Sequence, residues 1–287
     1  MKQMKVITSV SGGKTSAYIH ANFKSDMSVF ALVRIEGMDN LWMKGKDEKT
    51  RQLVSDKLGG VEFIGTAEMD DIIYTILDLE QFTGKSIDWI TGETFEQVIK
   101  NHGNYLPNQM SRFCTTDMKI VPIFNYLRDR IDFPCIMNIG YRPNEKSRAD
   151  KLKEREDENG IEQFKTVIGK SKNGKTNRWG DVAYRTCEFP LIENNIHKDS
   201  IHEYWKDKPV RFAYRNNCVG CVNRQPLFLS HMANKDPETF NWFIKQEQKT
   251  GNTFNSKTTY AKIKSFGVQH ELFDDDFNEC DSGYCGI

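Results

Sequence analysis

The sequence predicts an α/β protein built on a parallel sheet that helices cover on both faces. Short apolar runs of strand length alternate with stretches of helical character along the first half of the chain. Apolar residues dominate these runs, and apolar strands that alternate with helices are typical of a parallel sheet covered on both faces. A glycine-rich turn also joins the first strand directly to the first helix, as at the ligand-binding edge of such sheets.

Four strands are predicted in the first half of the chain. They cover Lys5 to Val10, Ser28 to Ile35, Val61 to Thr66 and Pro134 to Tyr141. Between the second and third strands, the segment "EKTRQLVSDKLGG" is predicted to be a helix that ends at its two glycines. The segments "SGGKTS" and "GYRPNEKSR" follow the first and fourth strands, so we expect a ligand site at the carboxyl ends of these strands.

Changes in composition divide the chain into three predicted regions. Residues 1–168 form the α/β domain. Residues 169–185 are rich in Gly, Lys and Asn without apolar periodicity and are predicted to be a loop or lid. Residues 186–287 are predicted to be a mostly helical, cysteine-rich region, in which one helix starts at Pro237 after the N-cap Asp236 and stops at Gly251.

Composition excludes several classes of protein. The 287 residues suffice for one sizeable core, with or without a smaller appendage. Forty basic and forty acidic side chains give a net charge of zero, so any polyanion must be met by a local site. No apolar run long enough to span a bilayer and no secretion signal occur, so we expect a cytoplasmic protein without a membrane partner. Seven cysteines in such a chain indicate metal binding, redox chemistry or burial.

The turn after the first strand contains Gly13-Lys14-Thr15, which matches the last three residues of the ATP-binding motif G-x-x-x-x-G-K-[ST]. The first glycine of that motif would fall on Thr8, inside the predicted strand, where a phosphate-wrapping loop cannot begin. The motif is therefore absent. What remains is a short loop, Ser11 to Ser16, whose amides, hydroxyls and helix N-terminus suit one pyrophosphate or sulfate group.

The spacing of "SGGKTS" after an N-terminal strand resembles the PP-loop of the adenine nucleotide α-hydrolase superfamily, usually S-G-G-x-D-S. Thr15 stands where that pattern mostly has an acid. A second segment, "LPNQMSRFCTTDMKIVPIFNYL", resembles the part of the phosphoadenosine phosphosulfate (PAPS) reductase family in which a basic residue and a cysteine precede Lys-x-x-Pro. The matching residues are Arg112, Cys114, Lys119 and Pro122.

Two further segments extend this resemblance over nearly the whole chain. "IGYRPNEKSRADKL" is similar to the family's strand followed by Gly-x-Arg, an acid and a second arginine. The matching residues are Gly140, Arg142, Glu145 and Arg148. "NCVGCVNRQPLFL" and "CDSGYCGI" resemble the cysteine-bearing end of a PAPS-reductase-like branch. The resemblance implies a Rossmann-like PP-loop fold with a smaller, mostly helical, cysteine-containing C-terminal region.

The same resemblance implies a binding site for ATP or a PAPS-type adenylyl nucleotide. The implied binding residues are Ser11, Gly12, Gly13, Lys14, Thr15, Ser16, Arg142 and Arg148. Arginines suit this role because a guanidinium pairs with phosphate at two points, whereas Lys14 and Lys119 add point charges. Mg²⁺ is the expected accompanying ion. Outside the motifs, each such side chain would be read as a solvated surface charge.

Cys218-x-x-Cys221 has the spacing with which two thiolates reach one metal or cluster. In iron–sulfur members of the resembling family, a cysteine near Lys-x-x-Pro joins such a pair around a [4Fe–4S] cluster. Cys114 matches that position, and Cys285 is the implied fourth ligand. A structural zinc site formed by the pair with Cys280 and Cys285 is the alternative, and buried thiols without a metal are another. The remaining Cys135 and Cys187 are predicted to be packing residues.

The leading interpretation is a PAPS-reductase-like PP-loop enzyme that acts at the α-phosphate of an adenylyl nucleotide, by pyrophosphate release or adenylation, with coupled sulfur transfer. The implied catalytic residues are Ser11, Lys14, Lys119, Arg142 and Cys285. One alternative is thiol-dependent reduction of PAPS or adenylyl sulfate, with Cys285 as nucleophile. Another is a nucleotide-binding regulatory module without turnover, which the replacement at Thr15 suggests. The acceptor, a nucleic acid partner and a homodimer are left open.

Overall fold

A computed structural model of the chain describes residues 3–36, 47–171, 173–214 and 216–266. Its strands are β1 (Val6–Ser9), β2 (Met27–Ala31), β3 (Asp88–Ile90), β4 (Cys135–Asn138), β5 (Glu162–Lys170) and β6 (Asn177–Glu188). They form one six-stranded sheet in the order β3-β2-β1-β4-β6-β5. The pairings β1–β4, β2–β3 and β4–β6 are parallel, and β5–β6 is antiparallel. The predicted α/β class with a mostly parallel sheet is confirmed.

Helices connect and follow these strands. They are α1 (Lys14–Asn22), α2 (Glu48–Lys57), α3 (Asp71–Thr83), α4 (Phe95–Asn101), α5 (Phe113–Thr115), α6 (Val121–Arg128), α7 (Lys146–Lys153), α8 (Pro190–Glu193), α9 (Lys198–Trp205), α10 (Pro226–Lys235), α11 (Pro237–Thr250) and α12 (Tyr260–Ser265). A π-helical turn at Thr116–Ile120 follows α5, and a 3-10 turn at Pro143–Glu145 precedes α7. Within the described ranges, no helix combines the length and apolar character needed to cross a bilayer.

Helix α11 confirms a prediction made from its caps. The Asp236 side chain accepts a hydrogen bond from the backbone N–H of Thr239, and the helix ends at Gly251, which has a φ of 70°. A left-handed residue after the last turn is the usual helix stop, and glycine adopts it without steric cost. Both ends of this helix are therefore set by residues next to it in the sequence.

The chain divides into two compact units, each built from separated segments. Unit 1 comprises Met1–Ser9, Lys14–Ser28 and Phe124–Lys208. Unit 2 comprises Val10–Gly13, Val29–Ile123 and Pro209–Ile287. Neither unit is a continuous stretch of sequence, so each one depends on segments that are distant along the chain.

In unit 1, the parallel pairing of β1 and β4 sets Ile7 opposite Met137, and both side chains are buried. Burying apolar side chains on neighbouring strands is the main source of stability for a sheet of this kind. An aromatic cluster continues this core towards β5 and β6. The ring centroid of Phe124 lies 4.1 Å from that of Phe164 and 5.1 Å from that of Tyr184.

Residues 169–185 differ from the predicted loop or lid, because most of them belong to the β5–β6 hairpin. Ser171 and Gly174 close its turn, where the Gly174 N–H donates to the Ser171 carbonyl and Gly174 has a φ of 70°. Composition did not reveal these strands because polar residues dominate them. The backbone hydrogen bonds of an antiparallel pair do not require apolar side chains.

The predicted third strand at Val61 to Thr66 is also different in the structure. Only an isolated bridge joins Thr66 to Arg34, and Val61 is exposed. Among these residues Phe63 is fully buried. Its side chain therefore anchors the segment in the core, although the backbone does not pair with a neighbouring strand beyond this one bridge. The edge strand β3 comes later in the chain, at Asp88–Ile90.

The core of unit 2 is rich in aromatic side chains from α4, α11 and the segment that follows α11. The Phe95 ring centroid lies 5.2 Å from that of Trp242 and 6.1 Å from that of Phe243. Phe254 and Tyr260 extend the cluster, with ring centroids 5.2 Å apart. Such tilted and edge-to-face pairs add to the free energy gained from burial itself. This core supports the cysteine-bearing turn described below.

Candidate functional site

The loop after β1 depends on two glycines. Gly12 has a φ of 77°, a left-handed conformation that strongly favours glycine. A Cβ atom at Gly12 would lie 2.7 Å from Ile72 Cγ2, and a Cβ atom at Gly13 would collide with the side-chain amide of Asn216. Neither Ile72 nor Asn216 was identified from the sequence, since each lies far from the loop in the chain. The close packing of both neighbours explains why this turn carries glycine twice.

The loops that follow β1 and β4 touch each other. A Cβ atom at Gly140 would lie 3.2 Å from Thr15 Cγ2 and 3.7 Å from the backbone nitrogen of Ser16. Gly140, the first residue of the "GYRPNEKSR" segment, thus lies against the start of α1, where "SGGKTS" ends. The structure brings these two motifs together at the carboxyl ends of two adjacent parallel strands, which is where open α/β sheets bind their ligands.

Arg142 and Arg148 share one buried carboxylate. Glu145 Oε2 accepts from Arg142 Nε at 3.1 Å, and Glu145 Oε1 accepts from Arg148 Nη1 at 2.5 Å. Arg142 and Glu145 are both buried, whereas Arg148 is partly exposed and its guanidinium carbon lies 4.3 Å from the Tyr141 ring centroid. This one carboxylate therefore holds both guanidinium groups in place through charge-assisted hydrogen bonds.

Lys14, the first residue of α1, is held by helix α9. Its Nζ lies 3.0 Å from His202 Nδ1, and its backbone carbonyl accepts a hydrogen bond from Trp205 Nε1 at 3.0 Å. A lysine ammonium can only donate, so this bond requires Nδ1 of His202 to be the unprotonated nitrogen. His202 and Trp205 were not identified from the sequence, because nothing local indicates that α9 reaches the loop.

Lys119 lies in unit 2 and forms an ion pair with a buried acid. Its Nζ is 2.8 Å from Glu68 Oε1, and the Glu68 side chain is 1% exposed. The other oxygen, Glu68 Oε2, has no hydrogen-bond partner among the residues that the structure describes. Glu68 also forms an isolated backbone bridge with Cys218. Lys119 and Glu68 therefore belong to the surroundings of the predicted cysteine site.

Three of the four predicted metal ligands line one cavity of about 50 Å³. They are Cys114, in the short helix α5 just before the π-helical turn, and Cys218 and Cys221, which lie on either side of a tight turn. A Cβ atom at Gly220 would lie 2.5 Å from Phe243 Cγ. Glycine at this position thus allows the turn to pack against the aromatic core of unit 2.

The cavity disfavours thiolates in the absence of a cation. Desolvation, together with the smaller effect of the nearby Cys221, raises the pKa of Cys114 to about 11. Desolvation, followed by the charge of Glu68, raises the pKa of Cys218 well above its usual value. Three cysteine sulfurs are the kind of ligand that zinc and iron–sulfur clusters prefer, and such a centre would stabilise the deprotonated sulfurs. No group of three or more His, Cys, Asp or Glu side chains within the described ranges is placed to hold a metal ion.

The remaining cysteines divide into two kinds. Cys135 and Cys187 are fully buried on β4 and β6, which confirms the prediction that they are packing residues. Burial raises the pKa of Cys135 to about 12 and that of Cys187 to about 11. Cys280 and Cys285, the predicted zinc ligand and the predicted fourth ligand or nucleophile, lie outside the described residues.

Comparison of the chain with protein-family models, curated proteins and solved structures finds no match. Its function is therefore inferred from the geometry of its own residues. Within unit 1, Thr15 and Ser16 lie close to Gly140. Within unit 2, Lys119 lines the same cavity as the three cysteines.

Proposed function

We propose that this protein is a PAPS-reductase-like PP-loop enzyme that binds ATP or a related adenylyl nucleotide and acts at the α-phosphate. The contact of Gly140 with Thr15 and Ser16 carries this proposal. It supports a shared site for the two motifs at the ends of adjacent parallel strands. A strand, a short glycine turn and a helix N-terminus form a suitable cradle for a phosphate or sulfate group.

The chemistry would be electrostatic. Water or an acceptor would attack the α-phosphorus and form the new bond to the adenylyl group, while the bond to the β-phosphate breaks and pyrophosphate leaves. Negative charge then accumulates on the leaving group and must be stabilised. The backbone amides at the start of α1 would donate to that group. The guanidinium groups of Arg142 and Arg148, which Glu145 holds in place, would supply donors that require no rearrangement during the reaction. Mg²⁺ carried by the nucleotide phosphates would supply further neutralisation.

Pyrophosphate release from ATP and nucleotide binding by calorimetry test this proposal. Gly13→Ala should abolish pyrophosphate release and nucleotide binding, because the added Cβ would collide with the side-chain amide of Asn216 and distort the loop. Gly84→Ala is the control for a loss of stability alone: a Cβ there meets nothing within 4 Å, but Gly84 has a φ of 64°, so this variant should lose stability and retain binding. A wild-type protein that binds neither ATP nor PAPS would contradict the proposal.

A nucleotide-binding module without turnover is the second candidate, and the position of Thr15 supports it. The Thr15 methyl group faces Gly140, so the residue that is usually acidic in PP-loops here packs one loop against the other. This candidate predicts nucleotide binding by the wild type without release of pyrophosphate. Turnover gained in Thr15→Asp would support it, whereas turnover by the wild type would exclude it.

We also propose that Cys114, Cys218 and Cys221, with Cys285, hold a [4Fe–4S] cluster, with structural zinc as the alternative. The support is that three thiols, Cys114 from α5 and the other two from the Cys-x-x-Cys turn, line one cavity. An anaerobic absorption spectrum with metal analysis distinguishes iron from zinc. Cys218→Ser should remove the metal, while the packing variant Cys135→Ala should retain it. A preparation without metal after anaerobic reconstitution would contradict this assignment.

A further inference from the structure

The β5–β6 hairpin extends beyond the strand that anchors it. β4 pairs with β6 from Cys135↔Arg185 to Asn138↔Glu188. Earlier in β6, the pairing with β5 includes Lys165↔Asp181 and Val167↔Trp179, shifts its register between Val167 and Gly169, and ends at Lys170↔Asn177. We name residues 165–171 and 173–181 the distal ribbon. Within the described sheet, the strands of this ribbon pair only with each other.

The distal ribbon exposes large apolar side chains on both faces. Trp179 is 58% exposed and Ile168 is 44% exposed. Directly opposite residues share a face and successive residues alternate, so Trp179 lies on the same face as Val167 and Lys165. Ile168 lies across Gly180 on the other face, because a Cβ atom at Gly180 would be 2.6 Å from Ile168 Cδ1. A two-stranded ribbon has no core in which to bury such side chains.

The charge of the distal ribbon is strongly biased although the chain as a whole is neutral. Its described residues include four exposed cations, Lys165, Lys170, Lys175 and Arg178, and a single acid, Asp181. None of the four cations forms a salt bridge with another described residue. Lys170 donates to the Asn177 side-chain oxygen at 2.6 Å, which fixes its position and leaves its charge uncompensated. A local positive surface of this kind attracts polyanions.

An exposed indole among unpaired cations matches the chemistry of an unpaired nucleic acid strand. Bases stack on aromatic rings irrespective of sequence, and phosphates pair with the surrounding lysines and arginines. An acidic peptide would use the cations without the flat face of Trp179, and a duplex keeps its bases stacked inside.

We propose that the distal ribbon binds single-stranded nucleic acid, with Trp179 stacking on a base and Lys165, Lys170, Lys175 and Arg178 contacting phosphates. The proposal concerns unit 1 alone and does not rest on the nucleotide chemistry proposed above. The partner would be recognised by its phosphates and its unpaired bases, without sequence specificity.

Fluorescence anisotropy with fluorescein-labelled dT and U 20-mers, titrated at several salt concentrations, tests the proposal and distinguishes DNA from RNA. Four phosphate contacts on a single strand predict a slope of log K against log salt of about −3. Lys170→Gln with Arg178→Gln should reduce that slope by about 1.4. The matched control, Lys257→Gln with Lys262→Gln, removes two exposed lysines of unit 2 and should leave the slope unchanged.

Trp179→Ala should weaken binding about tenfold without changing the salt slope, and Trp179→Phe should retain most of the affinity. Circular dichroism of each variant separates loss of binding from loss of folding. Equal losses in the ribbon and control double variants, or equal affinity for a 20-base-pair duplex, would overturn the proposal. So would the absence of binding to both 20-mers at low salt, or tighter binding of poly-glutamate that is insensitive to Trp179→Ala.

Discussion

Lys119 Nζ lies 2.8 Å from one oxygen of Glu68, a carboxylate that is almost completely buried beside the cysteine cavity. Lys119→Met should lower the free energy of unfolding by about 3 kcal/mol, because it leaves a buried charge without its partner. Urea denaturation measures this loss. The double variant Lys119→Met with Glu68→Gln should recover much of it, and additive losses from the two substitutions would contradict the coupling.

Glu145 is a buried carboxylate that accepts hydrogen bonds from two arginines, and its contribution to the free energy of unfolding can be measured. Glu145→Gln keeps the size of the side chain but leaves Arg142 and Arg148 without the charge they share. We expect a loss of about 2 kcal/mol in the free energy of unfolding, reduced because Arg148 is partly exposed to solvent. Glu203→Gln is the control, since its ion pair with Lys206 is exposed on both sides. Equal effects of the two substitutions would contradict the prediction.

Gly220 should tolerate no side chain unless Phe243 becomes smaller. Gly220→Ala places a Cβ 2.5 Å from Phe243 Cγ, and the rigid ring cannot move without disturbing the unit 2 core. The expected cost is about 2 kcal/mol, measured by chemical denaturation. Phe243→Leu in the same chain should relieve part of that cost. If the double variant is as unstable as the sum of the single variants, the collision is not the cause.

Glu247 should make stability fall as the pH rises above the ordinary pKa of glutamate. Burial raises its pKa above the usual 4.5, although the N–H groups of Tyr260 and Phe254 act in the opposite direction. The folded state therefore binds the proton more tightly than the unfolded state. The stabilising contribution is complete below about pH 4.5 and is lost as the pH rises through the raised pKa.

Glu247→Gln removes this titration and also loses one acceptor for a backbone N–H, so the variant should be less stable than the wild type at low pH. The difference in free energy of unfolding should be smaller at about pH 6.5 than at about pH 4.5. Urea denaturation at the two values measures it. A difference that is constant or that widens with pH would contradict the raised pKa.

Features that depend on neighbouring residues were predictable from the sequence. The caps of α11, Asp236 and Gly251, lie next to the helix that they begin and end, and the glycine turn directly follows its strand. The burial of Cys135 followed from its apolar neighbours. In each case the residues that determine the structure are close together in the chain.

Features that depend on distant contacts were not predictable. Glu68 and Lys119 are separated by 51 residues, and Lys14 and Trp205 by 191. No pattern in a single sequence indicates such pairs. The hairpin at residues 169–185 was missed for a different reason, since polar strands are stabilised by backbone pairing that composition does not reveal.

The pairing of β1 with β4 also has a consequence for synthesis on the ribosome. Thr8 and Asn138 are opposite each other in the sheet and 130 residues apart in the chain. At about 5–20 residues per second, on the order of ten seconds pass before β4 is synthesised. During that time β1 cannot pair with β4. Chaperones that bind nascent chains can therefore reach this strand before the sheet forms.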